Sequence, residues 1–364
     1  MVAFPPAGDP PVARAMTARI NTEHLTPAAL DAAYVPTAEL PRPTLFVIVD
    51  TEEEFDWGAP LSRAQTSVRA MRNIDRLQHV LNRHRVRPTY VIDYPVATQS
   101  EGYGPLLAFR ADGNAEIGAH LHPWVTPPYE EDVTPRNSFG FRLGALEFEK
   151  LRVLRDAIQS IGVAPTVFKA GRYGFGETTA DALEALGFDI DVSINPRMNF
   201  SAEGGPDFGR FDTKPFFFGR SRRLLEVPCS TDYVGVAGSL GHPLHTFADR
   251  SAMRRVRAVG ILSRLGVVNK VMLSPEGNTL AEMKALTRSL MRRGVRTFSL
   301  TLHSPSVMPG CTPYVQSDAQ LREFLDRIDE YCAFFLGEAG GVASTPMEFF
   351  TQLRPQPLTG VTPR

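Results

Sequence analysis

The chain has only three cysteines, Cys229, Cys311 and Cys332, in 364 residues. They are odd in number and far apart, which excludes a disulfide framework and a zinc-ribbon pattern and leaves reduced thiols as the expectation. Long hydrophobic runs are also missing, so no bilayer-spanning segment is expected. Residues Met1 to Ala15 are rich in Pro and Ala without a continuous apolar stretch. No export signal is read there, and a cytoplasmic location, extending to the inner membrane surface, is the expectation. Charge of one sign is not in excess: the formal net charge is -1, which offers no field for nucleic acid. The absence of an internal repeat excludes a solenoid.

What is present is the composition of a folded enzyme, 43% hydrophobic and 22% charged, in a chain long enough for one large barrel or two ordinary domains. After a Pro/Ala-rich extension over residues 1–42, short apolar runs alternate with helical patterns. Strands are expected at Thr44–Val49, Pro88–Ile92, the run ending at His120, Pro165–Phe168, Phe188–Val192, Leu224–Val227, Val271–Leu273 and Thr297–Leu302. Helices are expected over Thr66–Arg85, Tyr103–Asp112, Leu146–Ile161, Thr178–Leu186, Ser251–Leu265, Leu280–Arg293 and Asp318–Leu336. This alternation predicts parallel strands with helical crossovers over residues 43–340, followed by a tail at 341–364.

The reactive side chains fall where the strands stop. Asp50, Asp93, His120, His122, Lys169, Arg172, Asp191 and His303 lie at or just beyond expected strand C-termini. Parallel strands closed into a barrel bring those ends to one face, whereas an open sheet gathers fewer of them, so the barrel is preferred. His120 and His122, two residues apart in extended backbone, point to one side and form a usable metal-ligand pair. Carboxylates crowd the end of the first strand, in Asp50-Thr-Glu-Glu-Glu-Phe-Asp56, an arrangement a cation would relieve. Of these, Asp50 is read as functional, and Glu53 and Glu54 as a solvated acidic loop. Trp57, Trp124 and Tyr173 flank the candidate residues, and aromatic faces suit sugar rings. The loop from Thr126 to Phe141 is read either as a substrate wall or as a surface excursion. His242 and His245, in a Gly/Pro-containing loop without a nearby acid, are set aside as a metal pair. Arg clusters at 220–223 and 254–257 are read as solvated faces, or as contacts for the phosphates of a lipid-linked or nucleotide-linked sugar.

Five motifs in order, Val-Asp50-Thr-Glu, His120-Leu-His122, Lys169-Ala-Gly-Arg-Tyr-Gly174, Asp191-Val-Ser-Ile-Asn-Pro196 and Leu-Thr-Leu-His303, resemble the series of the polysaccharide deacetylases. These are the NodB-homology enzymes, carbohydrate esterase family four, and the likeness is to the WalW-type branch. The resemblance implies a distorted (β/α) TIM-type barrel with seven or eight parallel strands, holding one divalent metal, zinc in first place with cobalt, nickel or iron(II) as alternatives. It implies Asp50 as general base, His303 as general acid, His120 as a metal ligand, and Lys169 or Arg172 as the residue that orients the base. It also places Asp191 among the catalytic residues. The chain departs from the family in two places. Thr51 stands where the second aspartate would be, so Glu52 or Asp56 must supply the carboxylate ligand, Glu52 being nearer. Trp124 stands where the second histidine would be, so His122 must take that place. The implied activity is metal-dependent removal of an N-acyl group, N-acetyl in the first instance, from a carbohydrate in surface-glycan synthesis. The alternatives are hydrolysis of a linear or cyclic non-sugar amide, and a metal-free barrel that binds glycan or a partner.

Overall fold

The structure, a computed structural model, describes residues 25–221, 223–235 and 269–353. The expectations for residues 1–24, for His242 and His245, for the helix Ser251–Leu265 with its Arg cluster, and for residues 354–364 lie outside the described residues. In chain order the strands are β1 (Ala33–Tyr34), β2 (Thr44–Thr51), β3 (Thr89–Ile92), β4 (Glu116–Leu121), β5 (Val167–Ala170), β6 (Ile190–Asp191), β7 (Phe216–Phe218), β8 (Leu224–Glu226), β9 (Thr231–Val234), β10 (Asn269–Met272), β11 (Thr297–His303) and β12 (Val342–Ala343). The helices are α1 (Ile74–Arg83), α2 (Tyr94–Thr98), α3 (Ser100–Ala111), α4 (Ala145–Ser160), α5 (Glu177–Leu186), α6 (Leu280–Arg292), α7 (Asp318–Ala333) and α8 (Pro346–Leu353).

The fold is mixed α/β around a parallel sheet. β11, β2, β3, β4, β5, β6 and β8 lie side by side in that order, every pairing parallel. β7 and β1 extend this sheet with antiparallel pairings. The apolar run of β2 is buried along its whole length, as a strand covered on both faces requires. Its alternate residues serve two cores. Phe46 and Ile48 join Val91, Val167, Ile190 and Leu225 in an inner cluster. Leu45, Val47 and Val49 join the cluster shared with the surrounding helices. Phe349 and Phe350 of α8 belong to the inner cluster, and the Phe349 ring lies 5.4 Å from that of Phe46. Part of the tail expected at 341–364 therefore closes the base of the barrel, at the end opposite the reactive residues.

The run Val271–Leu273, expected as a barrel strand, does something else. β10 pairs antiparallel with β9 in a separate two-stranded sheet. Leu273, just past β10, reaches into the gap between β8 and β11: its N–H donates to the Ser230 carbonyl at 2.8 Å and its carbonyl accepts from Thr301 N–H at 3.1 Å. Ser299 spans the same gap, donating from its backbone N–H to Ser230 Oγ at 3.0 Å and from its hydroxyl to the Pro228 carbonyl at 2.9 Å. Pro228 has no N–H to give and Pro275 follows close behind Leu273, so a regular ladder cannot run through this seam. Individual hydrogen bonds bridge it instead.

Helix starts follow their capping residues. Thr279 and Glu282 exchange reciprocal hydrogen bonds at the start of α6, Ser317 caps α7, and Asp93 caps α2 by accepting from Val96 N–H at 2.8 Å. Arg220 and Arg223 pair with Asp181 and Asp189. Phe349→Ala should open a cavity at the base of the barrel and destabilise the fold by about 3–5 kcal/mol, the usual range for a buried phenylalanine. Urea unfolding should show this as a lowered midpoint with an unchanged slope.

Candidate active site

The strand alternation that sorts the two cores also selects the site residues. With Phe46 and Ile48 inside, Asp50 and Glu52 point inward and Thr51 turns its hydroxyl back to the Val49 carbonyl at 3.0 Å. The register then aligns them with their partners. His303 lies beside Asp50 across β11 and β2, and His120 beside Lys169 across β4 and β5. These residues line one cavity of about 700 Å³, together with His122, Glu276, Trp57, Tyr173 and Tyr314.

Three polar groupings occupy its floor. In the first, Glu52 Oε2 stands 3.5 Å from His120 Nε2 and 3.4 Å from His122 Nε2, all three side chains buried. The other carboxylate oxygen, Glu52 Oε1, is buried with no hydrogen-bond partner. His120 Nδ1 lies 3.1 Å from the Lys169 carbonyl. That oxygen can only accept, so Nδ1 carries the proton and Nε2 aims a lone pair at Glu52. Burial lowers the pKa of His120, and burial lowers that of His122 to about 4; both are neutral imidazoles at neutral pH. Burial pushes Glu52 up. An orphaned carboxylate oxygen beside imidazole lone pairs lacks a positive charge at its centre. The ligand atoms of Glu52, His120 and His122 all lie within 4.8 Å of one another, so the residues present fit a divalent cation.

In the second grouping, Lys169 Nζ donates to both oxygens of Asp50 at 2.7 Å and to Thr301 Oγ1 at 2.8 Å. Burial raises the Asp50 pKa, but Lys169, His120 and His303 outweigh it and hold the carboxyl below its usual range. In the third, His303 Nδ1 lies 2.7 Å from Glu276 Oε2, and Glu276 Oε1 accepts from the His303 N–H at 3.1 Å and from the Ser306 hydroxyl. His303 Nε2 faces Asp50 Oδ2 at 3.7 Å. Burial pulls its pKa down, yet Glu276, Glu52 and Asp50 together lift it to about 10.

Behind the first grouping, Glu53 is fully buried rather than solvated. Its Oε2 lies 2.7 Å from His122 Nδ1, its Oε1 accepts from Trp124 Nε1 at 2.9 Å, and its backbone N–H donates to Asp93 Oδ2 at 2.7 Å. Burial, reinforced by the negative charge of Glu53, raises Asp93 well above the usual carboxylate range. Gly171 leaves room for all of this, because a Cβ there would fall 2.4 Å from His122 Cδ2. Arg172 and Tyr173 follow it with φ of 51° and 59°, a left-handed pair that costs non-glycine residues about 1–2 kcal/mol each.

Several expected residues sit elsewhere. Arg172 does not reach Asp50: it donates to Ser138 Oγ at 2.6 Å and pairs with Glu203 on the cavity wall, while Lys169 holds Asp50. Asp191 lies outside the cavity. Its neighbours Ile190 and Val192 belong to the inner cluster, so alternation turns Asp191 to the helix side, where it accepts from Ser193 Oγ at 2.6 Å. Ser193 Oγ in turn accepts from Ala170 N–H at 2.7 Å, so Asp191 braces the loop after Lys169. Asp56 is exposed and accepts from Gly58 N–H, leaving Glu52 as the carboxylate beside the histidines. Trp124 is 2% exposed and stacks on His122 with ring centroids 4.2 Å apart, too covered to receive a sugar ring. Trp57, 38% exposed, stands over His303 and beside Phe55 and Tyr314, with ring centroids 5.0–5.7 Å away. Tyr173 lines the same cavity and lies over Lys169. The loop after Thr126 supplies Val133, Thr134 and Pro135 to the wall. It is tied down by the buried Lys150 ammonium, which donates to the carbonyls of Pro123, Thr126 and Pro128.

Sequence reasoning missed Glu53, Glu276 and Thr301. Glu276 lies three residues past the short apolar run Val271–Leu273, and that nearness to a strand end is the signal that marks it. Thr301 is one of the polar residues, with Thr297, Ser299 and His303, that alternate with Phe298, Leu300 and Leu302 along β11.

No protein-family model matches the sequence, and no curated protein matches it. Among solved structures, the chain is similar to a putative polysaccharide deacetylase from Mycobacterium smegmatis, at 17% identity and a TM-score of 0.45, covering 91% of this chain and 98% of that one. It is also similar to a family 4 acetyl xylan esterase from Clostridium thermocellum in complex with cobalt, at 12% identity, TM-score 0.35 and coverage of 85% and 91%. A family 4 carbohydrate esterase pseudoenzyme from Bacillus anthracis resembles it at 9% identity, TM-score 0.37 and coverage of 85% and 66%. Likeness at this level concerns the path of the chain, and the chemistry of the site rests on the distances above.

The charge on His303 depends on Glu276. In metal-free protein its NMR titration should fall near pH 10, and Glu276→Gln should move it down by at least one unit. Because the folded-state pKa lies above the unfolded value of about 6.5, the stability His303 contributes is complete below that pH and lost as pH rises through 10. Denaturation midpoints taken across pH 6 to 10 should therefore decline more steeply in the wild type than in the variant.

Proposed function

We propose that the protein is a metal-dependent hydrolase that removes an N-acyl group, N-acetyl in the first instance, from a carbohydrate in the synthesis of a surface glycan. The observation that carries this reading is the convergence, on one cavity floor, of three buried metal-type donors with an orphaned carboxylate oxygen, an acid held ionised and a histidine held protonated. Such oppositely tuned titratable groups mark catalytic sites. The motif order Asp50, His120, Lys169, His303 supports the polysaccharide deacetylase family. The rim of Phe55, Trp57 and Tyr314 supports a sugar, since exposed ring faces suit the C–H faces of pyranoses.

Glu52, His120 and His122 would hold the metal. A bound divalent ion would polarise the acyl carbonyl and acidify a water, chemistry that amide hydrolysis needs at neutral pH. The rest falls to the chain's own side chains. Asp50, fixed by Lys169, whose ammonium Thr301 helps to hold, accepts a proton from the attacking water as its oxygen bonds to the acyl carbon. His303, charged through Glu276, gives its Nε2 proton to the amine nitrogen as the C–N bond breaks. The products are the carboxylic acid and the free amino sugar. The 3.7 Å between His303 Nε2 and Asp50 Oδ2 then lets the proton gained by one return to the other. A backbone N–H of the strained turn at Arg172 and Tyr173 would receive developing negative charge on the acyl oxygen.

Purified protein loaded with zinc, cobalt or nickel should hold near one ion per chain by elemental analysis, and His120→Ala and His122→Ala should each abolish this. Asp50→Asn should retain the metal and lose at least about a hundredfold in kcat on N-acetylated sugars. Failure of the wild type to take up any of these ions would overturn the proposal. Turnover of cyclic amides with none of N-acetylated sugars would leave the hydrolase but replace its substrate.

A further inference from the structure

The position two residues beyond His122 bears on how this site can work with histidines so close in sequence. Trp124 is buried, stacks flat on the His122 ring at 25° between planes, and directs its indole N–H to Glu53 Oε1. Indole nitrogen only donates, so that oxygen of Glu53 must accept. The opposite oxygen, Oε2, is thereby turned toward His122 Nδ1 at 2.7 Å. We infer that Glu53 and Trp124 are positioning residues that fix His122 in its Nδ1–H tautomer, so that the Nε2 lone pair faces Glu52 and the site accepts a cation despite the two-residue histidine spacing. This rests on the reading of His122 as a ligand and adds to it the means by which that ligand is oriented.

The geometry supports the assignment from several sides. The Lys169 carbonyl already fixes His120 as the Nδ1–H tautomer, and the Glu53–Trp124 pair makes His122 match it. Two imidazole lone pairs then converge on Glu52 Oε2, at 3.5 and 3.4 Å. The backbone N–H of Glu53 is anchored on Asp93, whose other oxygen caps α2. The carboxylate that sets the tautomer is therefore tied to a helix start and cannot swing away cheaply. A cation pulled toward Nε2 strengthens the Nδ1–H bond to a carboxylate, so the carboxylate in turn makes the imidazole a better donor.

The arrangement makes a sharp test possible. In Glu53→Gln, Trp124 still demands an acceptor, so the glutamine carbonyl faces the indole and its NH2 faces His122 Nδ1. His122 is then driven to the opposite, Nε2–H tautomer. In the double variant Glu53→Gln/Trp124→Phe that demand is gone, the amide can turn over, and its carbonyl can again accept from Nδ1–H.

The experiment is long-range 1H–15N correlation of the imidazoles in metal-free, 15N-histidine-labelled full-length protein, with His122 assigned through His122→Ala, alongside zinc titration against a chromophoric chelator. We expect Nδ1–H at His122 in the wild type and Nε2–H in Glu53→Gln, with zinc affinity about 10- to 100-fold weaker in that variant. The double variant should recover Nδ1–H and part of the affinity. A residue that merely supported packing would lower the melting temperature without moving a proton between ring nitrogens, and the double variant would be worse than the single one. An unchanged Nδ1–H signal in Glu53→Gln, or no reversal in the double variant, would overturn the inference even if zinc binds normally. If the tautomer switches as expected while no variant and no wild-type sample binds zinc, Glu53 and Trp124 still set the tautomer, but the cation site and the hydrolase reading both fail.

Discussion

Four carboxylates, Asp50, Glu52, Glu53 and Asp93, are buried close together at the ends of β2 and β3, and the site is built around containing that negative charge. Removing one ionised carboxylate from water is costly, and placing several side by side compounds the cost. Each therefore has its own resolution. Asp50 takes a lysine on both oxygens. Glu53 takes an indole N–H and an imidazole. Asp93 is pushed toward its neutral form and caps a helix. Glu52 alone keeps an oxygen without a partner. A buried carboxylate oxygen without a partner, in a cluster whose other carboxylate oxygens are all satisfied, is the strongest physical argument for a cation there.

The parts of this design that depend on backbone period were legible in the sequence. Helices such as Ala145–Ser160, Glu177–Leu186 and Leu280–Arg292 show their 3.6-residue pattern and begin and end close to where their signals fall. The parallel order of strands follows from the alternation of strand and helix. Asp50, His120, Lys169 and His303 could be placed because each closes an apolar run and so emerges at the same end of the barrel. What was not legible depends on contacts distant in the chain. Nothing local tells that Glu53 lies against His122 and Trp124 rather than in water, because those partners arrive about 70 residues later. Asp191 looked like its fellows at strand ends, and only the phase of alternation in a two-residue strand turns it away from the cavity. The run Val271–Leu273 reads as a barrel strand and is diverted by prolines on both sides of the seam.

Lys150 and Gly171 show how the fold serves the site from outside it. A buried ammonium with three carbonyl partners and Glu131 at 3.0 Å is a strong anchor for an irregular loop, since charged donors make the firmer hydrogen bonds. Gly171 contributes by absence, leaving the volume into which the His122 ring fits. A scaffold that holds loop and ring this firmly needs little rearrangement when a ligand arrives.

The pairing of β11 with β2 joins residues 297–303 to residues 44–50, and this has a consequence for how the molecule comes into being. Asp50 leaves the ribosome 119 residues before Lys169, the ammonium that neutralises it, and long before His303. Until residues 120–169 are made, the acids at the end of β2 lack the side chains that pair with them. One edge of β2 must therefore wait for β11, far along the chain, and closing a loop of that length is slow. The pairing that sets His303 beside Asp50 is thus also the pairing that joins the ends of the parallel sheet's sequence, so the charged floor and the long-range closure form together.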